Sequence, residues 1–192
     1  MKKILSIILG AIICAQAFGQ INVDAGYLNS RYHYGEDGYS FNISGSGAFV
    51  GVSTDIPSTN YDQFAFSPGL RFNIVDYDLG DSVNAVQYFV SVPLHVKYLQ
   101  PVNRGIDAFL SVGPTVICTL GGKAKMSYGG LSYHETVEGG DFDVAFGLAG
   151  GVVLTDNVRV LCGYDFGLLN QSGEKDYRET RNIFHFGIGY MF

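Results

Sequence analysis

Ser91 and His95 stand four residues apart, a nucleophile and a base that a hydrolase would need side by side. In an extended strand that spacing is about 13 Å, so the pair shares no proton, and no acid completes a triad. His33 and His134 fall in polar stretches that read as outer loops, whereas His95 and His185 fall where strand side chains point inward. Asp76, Asp78 and Asp81 form an acidic cluster that could hold a divalent cation bridging lipopolysaccharide. Gln87 stands at the last ligand position, where a calcium loop needs a bidentate Glu, so a solvated acidic loop is the better reading. The residues therefore give no catalytic, cofactor-binding or metal site, and the expected protein is not an enzyme.

What remains is charge on alternate positions. Asp24, Asp55, Arg71, His95, Lys97, Asp107, Asp143, Arg159, Asp165 and His185 all fall on the small-residue side of alternating segments. Charges withdrawn from water need partners. Lys97 and Asp107 flank the 101–105 turn symmetrically and are expected to face each other. Asp165 and His185 are expected to be diagonal neighbours, and Arg71 and Arg159 to find carboxylates among Asp24, Asp55 and Asp143. Such a network plugs and stiffens a narrow lumen; the competing reading is a proton or ion pathway.

The elements that carry these charges are strands. Phe184, Phe186, Ile188, Tyr190 and Phe192 alternate with His185, Gly187, Gly189 and Met191, which puts the two sets on opposite faces. The same period-two pattern recurs around Ile21, Val50, Phe66, Val92, Leu110, Phe146 and Val160, giving about eight strands. One face is apolar and aromatic; the other is mostly Gly, Ala, Ser and single charges. A soluble barrel would hide the first face and cover the second with long polar side chains. Small residues instead suit a filled lumen, and the aromatic face suits lipid. The expected fold is all-β: an eight-stranded antiparallel up-and-down transmembrane barrel over 20–192, in the outer membrane. Short turns near 57–60, 101–105 and 155–157 would face the periplasm, and long polar loops near 30–45, 76–84, 120–140 and 171–181 the outside. Tyr32, Tyr34, Tyr39, Tyr128, Tyr133 and Tyr177 would mark the outer lipid boundary or serve as recognition anchors on those loops.

Residues 1–19 read as a secretory signal peptide: Lys2 and Lys3, an apolar run from Ile4 to Ala15, then small residues before Gln20. Cys14 invites a lipoprotein reading, but Ile13 is bulky where a small residue belongs before a lipidated Cys. The formal charge of −6 excludes the basic footprint that nucleic-acid binding requires. Cys118 and Cys162 fall two strands apart and at different heights, so two unpaired thiols are expected.

Several segments resemble a known family. Phe89-Val90-Ser91-Val92-Pro93-Leu94-His95-Val96-Lys97-Tyr98 is similar to the YLEIPLLLKY strand of the Bacteroidetes outer-membrane β-barrel family, the PorT-like group. Gly51-Val52, Asp55-Ile56-Pro57, Ser67-Pro68-Gly69-Leu70-Arg71-Phe72 and Gly113-Pro114 resemble its neighbouring segments; Ser91 replaces a commonly acidic residue. The set Phe184, Phe186, Ile188, Tyr190 and Phe192 resembles the C-terminal signal read by the barrel-assembly machinery. The resemblance implies fold and location, and some members are linked to type IX secretion. The expected role is a non-enzymatic envelope barrel in contact with outer-membrane lipid and an envelope protein partner. The alternatives are a narrow small-solute pore or, further off, a lipid-modifying enzyme.

Overall fold

The computed structural model describes residues 19–36, 39–80, 83–128, 131–137, 139–155, 157–170 and 177–192, except the side chains of 36, 126–128, 131–134, 137, 177 and 178. The signal-peptide reading of 1–19 and the Cys14 reading thus lie outside the described residues, Gly19 apart. Among the described residues nine strands run in order: β1 (Gln20–Glu36), β2 (Tyr39–Pro57), β3 (Phe64–Asp78), β4 (Val83–Asn103), β5 (Ile106–Tyr128), β6 (Leu131–Val137), β7 (Phe142–Leu154), β8 (Val158–Gly167) and β9 (Tyr177–Met191). All pairings are antiparallel. β1 pairs β9, and β4 pairs β5, so eight strands close into a ring without an edge. β6 is not a wall strand; it pairs only with the outer end of β5 and extends that hairpin beyond the ring.

Closure fixes the lumen. Follow the hydrogen-bonded register once around, from Asp107 through Val153, Arg159, Gly189, Asp24, Gly51, Arg71 and Ser91 to Ile117. The path returns to β5 ten residues higher, 117 − 107. Eight strands with a shear of ten tilt by about 40° and enclose a ring of roughly 8 Å radius, too narrow for anything but side chains. Equivalent heights therefore drift by 10/8, about one and a quarter residues, from each strand to the next.

The alternation sorts by chemistry over most of the wall, but the inner face is not only small and charged: Leu28, Phe49, Val75, Phe89, Ile117 and Ile183 lie inside among the buried polar residues. Val50, Leu110, Phe146, Cys162, Phe186 and Ile188 lie on the outside and are exposed. Rings gather near the periplasmic end, where Tyr61, Phe64 and Tyr98 are in contact and Tyr190 meets Phe192. An apolar exterior around a polar interior is the reverse of a soluble barrel and is the arrangement of an outer-membrane one.

The outer connections differ from expectation. The described parts of the stretches 30–45, 76–84, 120–140 and 171–181 are mostly strand: β1 continues to Glu36 and β2 begins at Tyr39, β5 runs to Tyr128, and β9 starts at Tyr177. Antiparallel pairing continues past the apolar belt because residues there still find backbone partners and a filled lumen. His33 accordingly sits on β1, bonded to Asn42 at 2.8 Å, and Tyr32 is buried inside the ring. The side chains of Tyr128, Tyr133, Tyr177 and His134 are outside the described residues.

A belt of minimal side chains crosses the lumen at mid-height: Gly26, Gly51, Gly69, Pro93, Gly113, Gly147, Gly163 and Gly187, one on each wall strand. Long side chains from other levels lie across it. A Cβ at Gly147 would meet His95 Nε2 at 2.5 Å and Asp165 Oδ1 at 2.6 Å; one at Gly187 would meet the Phe49 ring at 2.7 Å. Gly150, on the outer face of the same strand as Gly147, would meet nothing closer than 3.2 Å. Gly147→Val is therefore expected to destabilise the barrel by about 2 kcal/mol or more, and Gly150→Val by well under 1 kcal/mol, as read from urea midpoints of the folded, heat-modifiable form.

Candidate functional site

The lumen holds three tiers of charge. In the lowest, Lys97 Nζ lies 2.6 Å from Asp55 Oδ2, which also accepts from Asn22 Nδ2 at 3.2 Å. Ser67 Oγ donates to Asp55 Oδ1 at 2.6 Å, and the Lys97 ammonium sits 4.6 Å above the Phe109 ring. Beside it the Arg159 guanidinium forks onto both oxygens of Asp24 and reaches Ser53 Oγ at 3.2 Å. In the middle tier Arg71 is 3.7 Å from Asp165 and 5.0 Å from the Phe49 ring. Thr115 Oγ1 bonds Asp165 Oδ1 at 3.1 Å and His95 Nε2 at 3.2 Å; Ser111 Oγ is 3.5 Å from His95 Nδ1, and His185 Nδ1 is 3.7 Å from Asp165. In the top tier Arg181 lies 3.7 Å from Asp143, donates to Tyr32 Oη at 3.0 Å and Gln87 Oε1 at 3.3 Å, and covers the Phe89 ring at 4.8 Å. Tyr77 Oη donates to Ser30 Oγ at 2.8 Å beside it.

These ion pairs join strands that are not neighbours. Asp24 on β1 and Arg159 on β8 both stand opposite Gly189 of the intervening β9, so nothing obstructs the guanidinium reaching over it. Lys97 on β4 reaches Asp55 on β2 over Ala65 and Ser67 of β3. The expected Lys97–Asp107 pair is absent because β4 runs on to Asn103. A two-residue turn, Arg104–Gly105 with Gly105 at φ 74°, then sets Lys97 against Ser111 and Asp107 against Pro101. Asp107 is left half-buried near the periplasmic rim with no ion pair among the described residues. Arg71 takes Asp165 instead of the three carboxylates expected for it, while Arg159 does take Asp24. Asp165 and His185 are diagonal across β8 and β9, as their spacing implies.

Sequence reasoning missed Arg181, the partner of Asp143. Counting back by twos from His185 would have placed it inside, but it fell within the stretch assigned to a loop. Phe49, Phe89 and Phe109 were missed likewise; each lies under a luminal cation.

Between the lower and middle tiers there is little room for a substrate. A cavity of about 60 Å³ lies between the lower and middle tiers, bordered by Asp24, Arg71, His95, Lys97, Arg159 and His185. That holds a few waters and no lipid, sugar or peptide. The chain Ser111–His95–Thr115–Asp165 resembles a proton relay, but Ser111 is buried inside the ring. Ser91 instead receives a bond from Asn73 Nδ2 at 3.0 Å. Among the described residues no group of three or more His, Cys, Asp or Glu could hold a metal ion. Asp76 and Asp78 are exposed on β3, Asp81 is outside the described residues, and Cys118 and Cys162 are free thiols. The terminal Phe184, Phe186, Ile188, Tyr190 and Phe192 all face outward along β9 and its end.

Removing one member of a buried pair leaves the other charge stranded. Lys97→Met is expected to cost about 3–5 kcal/mol, and the double change Lys97→Met with Asp55→Leu to recover more than half of that, measured by equilibrium unfolding in detergent micelles.

No family model and no curated protein matches the sequence. Solved structures do. The attachment invasion locus protein Ail of Yersinia pestis is 16% identical, covering 91% of this chain and 99% of that one, with a TM-score of 0.46. Neisserial surface protein A is 12% identical over 90% and 97%, TM-score 0.49, and the outer membrane enzyme PagL 11% identical over 86% and 98%, TM-score 0.42. At such identity these are likenesses of fold, and the outer-membrane assignment of this chain stands on its own inverted exterior.

Proposed function

We propose that the chain is a non-enzymatic outer-membrane barrel whose sealed wall presents its outer rim to an envelope protein partner. The observation that carries this is the filled lumen. Above the glycine belt, Leu28, Val75, Phe89 and Ile117 are wholly buried, with Ile183 beside them, and crowd the interior below the top charge tier together with Asn73. Such crowding works against the pore reading, and the small cavity beneath it works against an enzyme. The rim is better suited to contact: Tyr39 is 85% exposed, and Phe41 stacks on Tyr34 at 4.8 Å beside it. The resemblance of the Phe89–Tyr98 strand to PorT-like barrels supports an assembly role, with a secretion or surface apparatus as the kind of partner, and the aromatic C-terminal strand supports delivery by the barrel-assembly machinery.

Two measurements test the reading. In planar bilayers the purified barrel is expected to give no unitary current steps; regular steps would favour the pore. A photo-crosslinking residue at Tyr39 in native membranes is expected to capture one discrete protein band, and capture of lipid alone would count against a protein partner.

A further inference from the structure

The apolar belt of the exterior is interrupted on one flank. On β7, β8 and β5 the outward residues stay apolar up to Phe142, Leu168 and Leu120, all exposed. On β9, β1 and β2, with the drift of one and a quarter residues per strand taken into account, Asn182, Asn29 and Ser46 already stand below that level, and Arg31 stands level with it. Arg31 faces Asn182 on one side and Ser44 on the other in the register. The polar patch coincides with a recess of about 400 Å³ lined by Tyr27, Asn29, Arg31, Tyr164, Asn182 and Phe184.

The side chains there are incompletely used. Arg31 Nε donates to Ser44 Oγ at 3.2 Å, the one hydrogen bond it makes among the described residues, and no described carboxylate pairs with it. Asn182 accepts from the Gly167 amide at 3.1 Å through Oδ1, which leaves its Nδ2 donors. Tyr27 Oη shares a bond with Ser46 Oγ at 3.0 Å, at the recess edge. A guanidinium and an amide at the upper edge of the lipid-facing belt, above the rings of Tyr164 and Phe184, are a set of donors over an acyl-compatible floor. Guanidinium binds phosphate by paired hydrogen bonds, and a lipid-facing cation is costly unless an anion meets it.

We propose that this recess seats the phosphorylated head group of an outer-leaflet lipid, with Arg31 on the phosphate and Asn182 and Asn29 on its polar backbone, while the acyl chains lie against Phe184 and Tyr164. The site lies on the outer wall, so it is independent of the lumen and of the rim proposed for a protein partner.

Native mass spectrometry of the detergent-purified barrel with added bis-phosphorylated lipid A tests it, with dephosphorylated lipid A as the second probe. Wild type is expected to hold one tight adduct of the phosphorylated form and to prefer it at least tenfold. Arg31→Gln should lose that preference, Arg31→Lys should retain part of it, and Arg104→Gln in the periplasmic turn should leave it unchanged. Heat-modifiable migration on gels checks that each variant is folded. Equal binding of both lipids by wild type, or an unchanged preference in Arg31→Gln, overturns the proposal. Dispersal of a homo-oligomer by Arg31→Gln with lipid preference intact overturns it too, in favour of a protein interface in the membrane.

Discussion

A closed ring of eight strands at a shear of ten has one interior width, and every inward side chain must fit it with its polar groups satisfied. That constraint orders the whole structure. In lipid the backbone must pair with itself, so the ring closes and the edges vanish. Once it closes, half the side chains are committed to a cylinder with almost no water. Charges placed there survive only in pairs, and this chain supplies four cations, Arg71, Lys97, Arg159 and Arg181, against Asp165, Asp55, Asp24 and Asp143.

The glycine belt follows from the same width. A guanidinium or imidazole crossing the axis occupies space that wall side chains at that level would fill. Each wall strand therefore yields there, and the long side chains of neighbouring levels lean into the gap. Ion pairs skip a strand for the same reason: Gly189 between Asp24 and Arg159 removes the obstacle that would otherwise hold them apart. Three of the four cations also lie over an aromatic ring, Phe49, Phe109 or Phe89, which covers the face of the charge that no carboxylate reaches.

How far the sequence could be read depended on contrast. Where large apolar residues alternate with glycine, as along Phe184–Phe192, the face of every residue is legible, and with it the inward placement of His185 and Arg159. At the outer ends both faces are polar. Glu179, Thr180, Arg181 and Asn182 show no alternation in hydrophobicity, so the pattern ends β9 too early and leaves Arg181 in a loop. Pairing was harder than facing. Lys97 and Asp55 are 42 residues apart with a whole strand between them, and only the register of the closed ring brings them together. The symmetric turn that suggested Asp107 was displaced by the register shift near Pro101.

Cys162 reports the direction in which the two faces look. It is exposed on the outer wall near mid-height, on the same face as Val160 and Tyr164. In the chain from Gln20 carrying Cys118→Ser, folded into lipid vesicles, Cys162 should react with a bilayer-partitioning maleimide and resist a charged, membrane-impermeant one until the vesicles are dissolved and the protein unfolded. A folded chain that stays soluble without detergent and labels at once with the charged reagent would mean that the apolar face looks inward.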